Sequence, residues 1–218
     1  VLTGLAAAVI LLTAWVFYAR HQQHPMLDPA LFTIPRFGLA SLTITVAFAV
    51  MFGMFFGLAQ FLQFVMGYSP LGAALRVAPF AVAMVAIAPR GPGLVKRFGA
   101  GRVMGSGLLL ASAGCMAMSL LTADTSYPNV VAGIILLSSG MALTFPTATT
   151  AIIGSLPLDK AGVASAVNDT TREVGAAVGI ALLGSLLSAG YRRDLGGSLD
   201  ALPLPPGALE AVQDSVGV

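Results

Sequence analysis

Gly162-Val163-Ala164-Ser165-Ala166-Val167-Asn168-Asp169-Thr170-Thr171-Arg172-Glu173-Val174-Gly175-Ala176-Ala177-Val178-Gly179 is the most informative stretch of this chain, and it leads into an apolar run ending at Gly190. Most charges in the sequence sit between apolar runs, but Asp169, Arg172 and Glu173 sit inside what reads as one continuous helix. On an ideal helix Asn168, Arg172, Gly175 and Gly179 share a face, at spacings of four, three and four. That face starts polar and becomes a Gly-x-x-x-Gly seam, which lets a second helix approach closely. The pattern predicts a packed helix at the edge of a cavity in a membrane bundle.

Composition supports the membrane setting. The 218 residues are 57% hydrophobic and 9% charged, whereas a soluble domain carries about 25% charged residues. A chain this poor in charge cannot cover a water-facing surface, so an all-α polytopic membrane protein follows. The pI near 9.0 comes from a small excess of Lys and Arg. With so few charges the excess reports loop topology rather than nucleic-acid binding. The single Cys115 lies in an apolar run, which leaves no disulfide framework. His21 and His24 share a linker without a nearby Cys or Glu, so a solvated loop is the expectation there, with no metal and no cofactor.

Working outward, residues 1–19 form a first uncharged span, and 19 residues at 1.5 Å each cover roughly 30 Å, enough for one crossing. The opening lacks the basic flank of a signal peptide, and with no initiator Met the chain reads as part of a longer protein. Residues 20–37 form a linker broken by Pro25, Pro29 and Pro35. Residues 38–190 hold five further spans, at about 38–66, 70–88, 103–122, 129–154 and 162–190. Pro79 is expected to kink the third span and Pro89 to end it, leaving 90–102 as a basic loop. Residues 191–218 form a polar, Pro-rich tail, with a surface helix expected over 208–214. Basic loops stay in the cytoplasm, so Arg90, Lys96, Arg97 and Arg102 place that loop inside. Alternation puts the 20–37 linker and the Asp159-Lys160 loop on the same side, with Asp124 and the tail outside.

Several runs carry a family resemblance. Pro25-Met26-Leu27-Asp28-Pro29-Ala30-Leu31-Phe32, Tyr68-Ser69-Pro70-Leu71 with Ala78-Pro79, Gly140-Met141-Ala142-Leu143-Thr144-Phe145-Pro146 with Ser155-Leu156-Pro157, and the opening stretch resemble successive segments of one family. That family is the 14-helix drug:proton antiporters of the major facilitator superfamily, EmrB/QacA type, and the similarity covers nearly the whole chain. The 90–102 loop resembles the superfamily's Gly-x-Leu-Ala-Asp-Arg-x-Gly-Arg motif, with Leu94, Arg97, Phe98 and Gly99 matching and Arg102 following. Lys96 stands where the motif has Asp, so that Asp's charge-relay role does not transfer. The resemblance implies a partial superfamily fold of about six transmembrane helices, equivalent to helices 8–13, with the N-terminal half and the last helix missing. It implies proton-coupled efflux of lipophilic or drug-like compounds, with partners that are the lipid bilayer, a small-molecule substrate, protons and the missing half. It also implies that the spans from 38, 70, 129 and 162 line a central cavity, that the span from 103 is peripheral with Cys115 inert, and that these residues alone do not transport.

Candidate site residues follow on both grounds. Phe52, Phe56, Gln60 and Gln63 share a helix face, and aromatic and amide groups suit bulky lipophilic substrates. Such aromatic spacing equally suits lipid-facing packing. Arg76 either faces the cavity or snorkels outward. Gly53-x-x-x-Gly57 is a second packing seam. Pro146 frees a backbone carbonyl that Thr144 and Thr147 are placed to satisfy, making either a functional kink or a packing irregularity. Asn168, Asp169, Arg172 and Glu173 fall near the inner membrane boundary, as a gate or coupling group or as a solvated helix end. Asp169 and Glu173 are like charges four apart and call for a basic neighbour. No Ser/His/Asp set or carboxylate pair points to an enzyme, while a non-transporting scaffold or sensor on the same fold stays open.

Overall fold

The computed structural model describes residues 2–21, 29–122 and 124–199. Among these residues the chain is helical, without strands. The helices are α1 (Leu2–His21), α2 (Pro35–Gln60), α3 (Pro70–Arg76), α4 (Ala78–Ile87), α5 (Gly91–Phe98), α6 (Ala100–Ser119), α7 (Tyr127–Ile153) and α8 (Ala161–Leu199). Proline starts many of them. Pro35, Pro70, Pro79, Pro92 and Pro128 sit at the first or second helical position, where the missing N–H has no helical partner to lose and φ is already set. At α3 the Ser69 hydroxyl also accepts from the Gly72 N–H, 3.2 Å away.

Among the described residues, four segments are long and apolar enough to cross a membrane: Pro35–Val65, Pro70–Phe98, Tyr127–Ile153 and Leu158–Tyr191. The 20-residue α6 has crossing length, about 30 Å at 1.5 Å per residue, but its glycines and serines dilute its apolar character. The described side chains of α1 are exposed; its main contact within the described chain is the short 3-10 turn Pro29–Thr33. The core lies among α2, α6, α7 and α8, with Phe37, Ile44, Leu62, Ile134, Leu137, Met141 and Ile152 fully buried.

Three elements differ from the sequence expectation. The 90–102 segment is not a loop: a 3-10 turn at Ala88–Arg90 leads into α5, and Gly99, at φ +84°, turns the chain into α6. The α-helix α4 does end at Ile87, just before Pro89, but a proline in a first turn loses no bond, so the chain stays wound through the 3-10 turn into α5. The third span divides at Val77 into two helices rather than only kinking, because Pro79 has no N–H to bond the Leu75 carbonyl. Finally, α8 continues past Gly190 to Leu199. The expected helix over 208–214 lies outside the described residues.

Candidate functional site

Two glycine seams assemble the bundle. Along α2 and α8 the helices run parallel. Gly175 faces the Thr45 backbone, with a hypothetical Cβ 3.0 Å from its carbonyl carbon; Gly179 faces Ala49 at 2.6 Å. A Cβ on Gly53 would meet the Gly179 carbonyl oxygen at 2.9 Å, and one on Gly57 the Leu183 side chain at 2.9 Å. The two Gly-x-x-x-Gly stretches, read separately in the sequence, are thus opposite faces of one contact. The second seam joins α6 and α7, antiparallel. A Cβ on Gly107 would meet Gly140 O at 2.8 Å, one on Gly114 the Leu137 N at 2.5 Å, and one on Gly133 the Met118 side chain at 2.7 Å. Sequence reading missed this seam. Its signal is the seven-residue spacing of Gly107 and Gly114 against the same spacing of Gly133 and Gly140, two turns on each helix.

At one end of the α2–α8 pair stand the polar residues of the opening stretch. The Arg172 guanidinium reaches across to α7, where Nη2 donates to Thr149 Oγ1 at 2.9 Å. It lies 5.4 Å from the Phe48 ring of α2, so it bridges three helices. Its Nη1 is 3.8 Å from Asp169 Oδ1, a loose and largely exposed pair of little energetic weight. Glu173 is exposed. Asn168 is buried, and its Nδ2 donates to Asp169 Oδ1 at 3.4 Å. Among the described residues, buried side-chain atoms without a hydrogen-bond partner are Ser41 Oγ, Arg76 Nε, Asn168 Oδ1 and Arg172 Nε. Three of these four belong to this end of the α2–α8 pair. An unsatisfied buried polar group costs about 1–3 kcal/mol, so the polar atoms at this end call for further hydrogen-bond partners.

The remaining candidates are scattered. Phe52 is half-buried and stacks on Phe48 at 6.0 Å, and Phe48 tilts against Phe145 of α7 at 4.6 Å. Phe56 packs toward Gly184, its ring 3.6 Å from where a Cβ would stand. Gln60 ends α2, and Gln63 lies in a π-helical turn, Phe61–Val65, closed by Met66 N–H to Phe61 O at 3.0 Å. Wider π winding rotates Gln63 away from the face that Phe52, Phe56 and Gln60 would share on a regular helix. Thr144 is fully buried against Gly107 of α6, and its hydroxyl donates to Gly140 O at 2.9 Å. It therefore serves the α6–α7 seam, and its bond does not go to the Ala142 carbonyl that Pro146 leaves unpaired. Thr147 is buried, and α7 is continuous through Pro146.

Arg76 sits at the other end of the bundle, where α3 meets α4. Its guanidinium stacks 3.5 Å over the Tyr68 ring, Nη1 donates to Gly72 O at 3.2 Å, and Tyr127 Oη of α7 donates to the Arg76 carbonyl at 2.9 Å. Of the residues in the 90–102 segment, Leu94 on α5 is half-buried, whereas Lys96, Arg97, Gly99 and Arg102 are exposed. His21 Nδ1 lies 2.8 Å from Phe17 O within α1; His24 lies outside the described residues. Among the described residues no group of three His, Cys, Asp or Glu could hold a metal.

Comparison with known proteins places this geometry. The family model described as "Major Facilitator Superfamily" matches residues 1–180. The chain is 34% identical to "Multidrug resistance protein Stp" of Mycobacterium tuberculosis over 86% of its own length and 36% of that protein. It is 31% identical to "Multidrug efflux pump LfrA" of Mycolicibacterium smegmatis, over 87% of this chain and 38% of that one. It is 30% identical to the "Tetracenomycin C resistance and export protein" of Streptomyces glaucescens, over 85% and 34%. The chain thus spans little more than a third of the length of these relatives.

Proposed function

The chain belongs to the Major Facilitator Superfamily, and from that premise we propose that it forms the second half of a proton-coupled exporter of lipophilic, drug-like compounds in the cytoplasmic membrane of a bacterium. The observation that carries this reading is the contrast inside the α2–α8 pair. Its middle is a bare backbone contact of glycines, and its end is a cluster of polar groups with unmet hydrogen bonds around Arg172. Helices packed without interlocking side chains pivot at low cost, and unmet polar groups favour a second arrangement. Alternating access is rocking of this kind about a midplane site.

In this reading the end carrying Arg36, Arg90, Lys96, Arg97, Arg102 and Lys160 faces the cytoplasm, against Asp124 at the other end. Asn168, Asp169, Arg172 and Glu173 form the inner gate. Phe52, Phe56 and Gln60 contribute to the substrate surface, and Thr144 and Thr147 support it from behind. The chain carries out no catalytic step. Proton-coupling carboxylates come from the other six-helix half, since no acidic residue lies at mid-depth in α2, α4, α6 or α7.

The test is ethidium efflux from cells producing the full-length transporter, with and without a protonophore. The expected result is efflux that collapses with the proton gradient and is absent when only these 218 residues are produced. Efflux unaffected by the protonophore contradicts proton coupling. Full-length protein that is folded and moves none of a panel of lipophilic compounds favours the scaffold or sensor reading.

A further inference from the structure

The basic segment between α4 and α6, expected as a loop, is an amphipathic helix with an unmatched charge. On α5, Gly91, Leu94, Val95 and Phe98 fall on one side and Lys96 and Arg97 on the other. Gly91 is buried and Leu94 and Val95 are half-buried against the bundle, so the two cations project outward. Arg102, in the first turn of α6, is exposed as well. Arg90 folds back, its Nη1 donating to the Ala86 carbonyl. Phe98 is 46% exposed beside them, with the Arg97 guanidinium 5.3 Å from its ring.

No acid answers these charges locally. Residues 78–119 and 127–153, which hold α4 to α7, contain no Asp or Glu. The elements packed most closely on α5 are α6, α7 and the 3-10 turn before it. Depth fixes what the cations meet. The segment Pro70–Phe98 has 29 residues, about 43 Å at 1.5 Å per residue, against 40–45 Å for a bilayer including both headgroup layers. With Pro70 at one surface, Lys96 and Arg97 lie within the opposite headgroup layer, and the half-exposed apolar ring of Phe98 lies beside them.

We propose that α5 is a docking surface for anionic phospholipid, with Lys96, Arg97 and Arg102 taking headgroup phosphates while Phe98 meets the upper acyl chain. A surface cation near an anionic leaflet contributes about fivefold in affinity, so losing two lowers the preference for anionic over zwitterionic lipid by about tenfold or more. The proposal requires that the chain sits in a bilayer and does not depend on export, so the lipid assay and the efflux assay fail independently.

The experiment is native mass spectrometry of the full chain, delipidated in detergent and titrated with phosphatidylglycerol, phosphatidylcholine or inorganic phosphate. The expected result is a preference for phosphatidylglycerol of about tenfold or more. That preference is lost in the K96Q/R97Q double variant and retained in Arg36→Gln, a cation at the same end of the bundle but off α5. It also weakens as salt is raised, a readout that holds if the double variant fails to fold. Equal retention of the two lipids, an unchanged preference in folded K96Q/R97Q, or displacement of phosphatidylglycerol by millimolar inorganic phosphate would each overturn the proposal.

Discussion

The α6–α7 and α2–α8 pairs are both joined by glycine, and they are built for opposite ends. In α6–α7 small residues come from both helices: Gly107, Ala111 and Gly114 on one, Gly133 and Gly140 on the other. The contact is antiparallel, buried and uncharged, and the Thr144 hydroxyl is spent within it. In α2–α8 the glycines meet backbone carbonyls in parallel register, and one end of the contact carries Ser41, Asn168 and Arg172 with unpaired buried atoms. The same packing device joins both interfaces, and in the proposed reading it closes α6–α7 and leaves α2–α8 adjustable. What differs is the polar inventory at the margin, not the seam.

The largest effect that separates the two is expected from Gly140→Leu. A side chain there enters the backbone of Gly107 and Ala111, an overpacking that costs about 1–3 kcal/mol or more. The expected outcome is loss of folded, monodisperse protein by gel filtration. Gly179→Leu drives α8 away from Ala49 by a clash of similar size. If the α2–α8 pair is the adjustable one, it yields, so folded protein is recovered while ethidium efflux is abolished. Equal loss of folded protein in both variants would erase the distinction.

Arg172→Gln is next. It removes the bond to Thr149 and the contact with Phe48, and the expected outcome is about a tenfold fall in efflux, one charge-assisted hydrogen bond's worth. Thermal stability should change little, because the Arg172–Asp169 pair is exposed. Arg172→Lys should not restore efflux, since a single ammonium cannot reach Thr149 and cover the Phe48 ring together. The smallest effect is expected at the far end of the bundle, where Tyr127→Phe deletes the bond to the Arg76 carbonyl. A loss of about 0.5–1.5 kcal/mol, read as a small drop in melting temperature, is the expected result.

These contrasts also show what sequence could carry. Helix identity and the α8 face came from periodicity and charge scarcity, because a bilayer leaves a backbone few options. The Gly175/Gly179 and Gly53/Gly57 seams were visible singly, but nothing local says that they face each other; partner choice is a tertiary fact. The α6–α7 seam escaped because its seven-residue glycine spacing is less conspicuous than Gly-x-x-x-Gly. α5 was read as a loop because Pro89, Gly91, Pro92 and Gly93 crowd its start, yet proline in a first turn is compatible with helix. The π turn at Phe61–Val65, which changes the winding between Gln60 and Gln63, is something single-residue patterns do not announce. Thr144 was placed to satisfy the carbonyl that Pro146 frees, but its hydroxyl bonds the Gly140 carbonyl, beside Gly107 in the α6–α7 interface.

The most direct test of the account is hydrogen exchange of the full-length transporter with and without bound ethidium. If α2–α8 adjusts while α6–α7 stays closed, ethidium changes the protection of amides at 161–180 on α8 and 41–57 on α2. Those at 105–118 and 133–145 then keep the same slow exchange in both states. Matching changes in the two pairs, or a change confined to α6–α7, would contradict it.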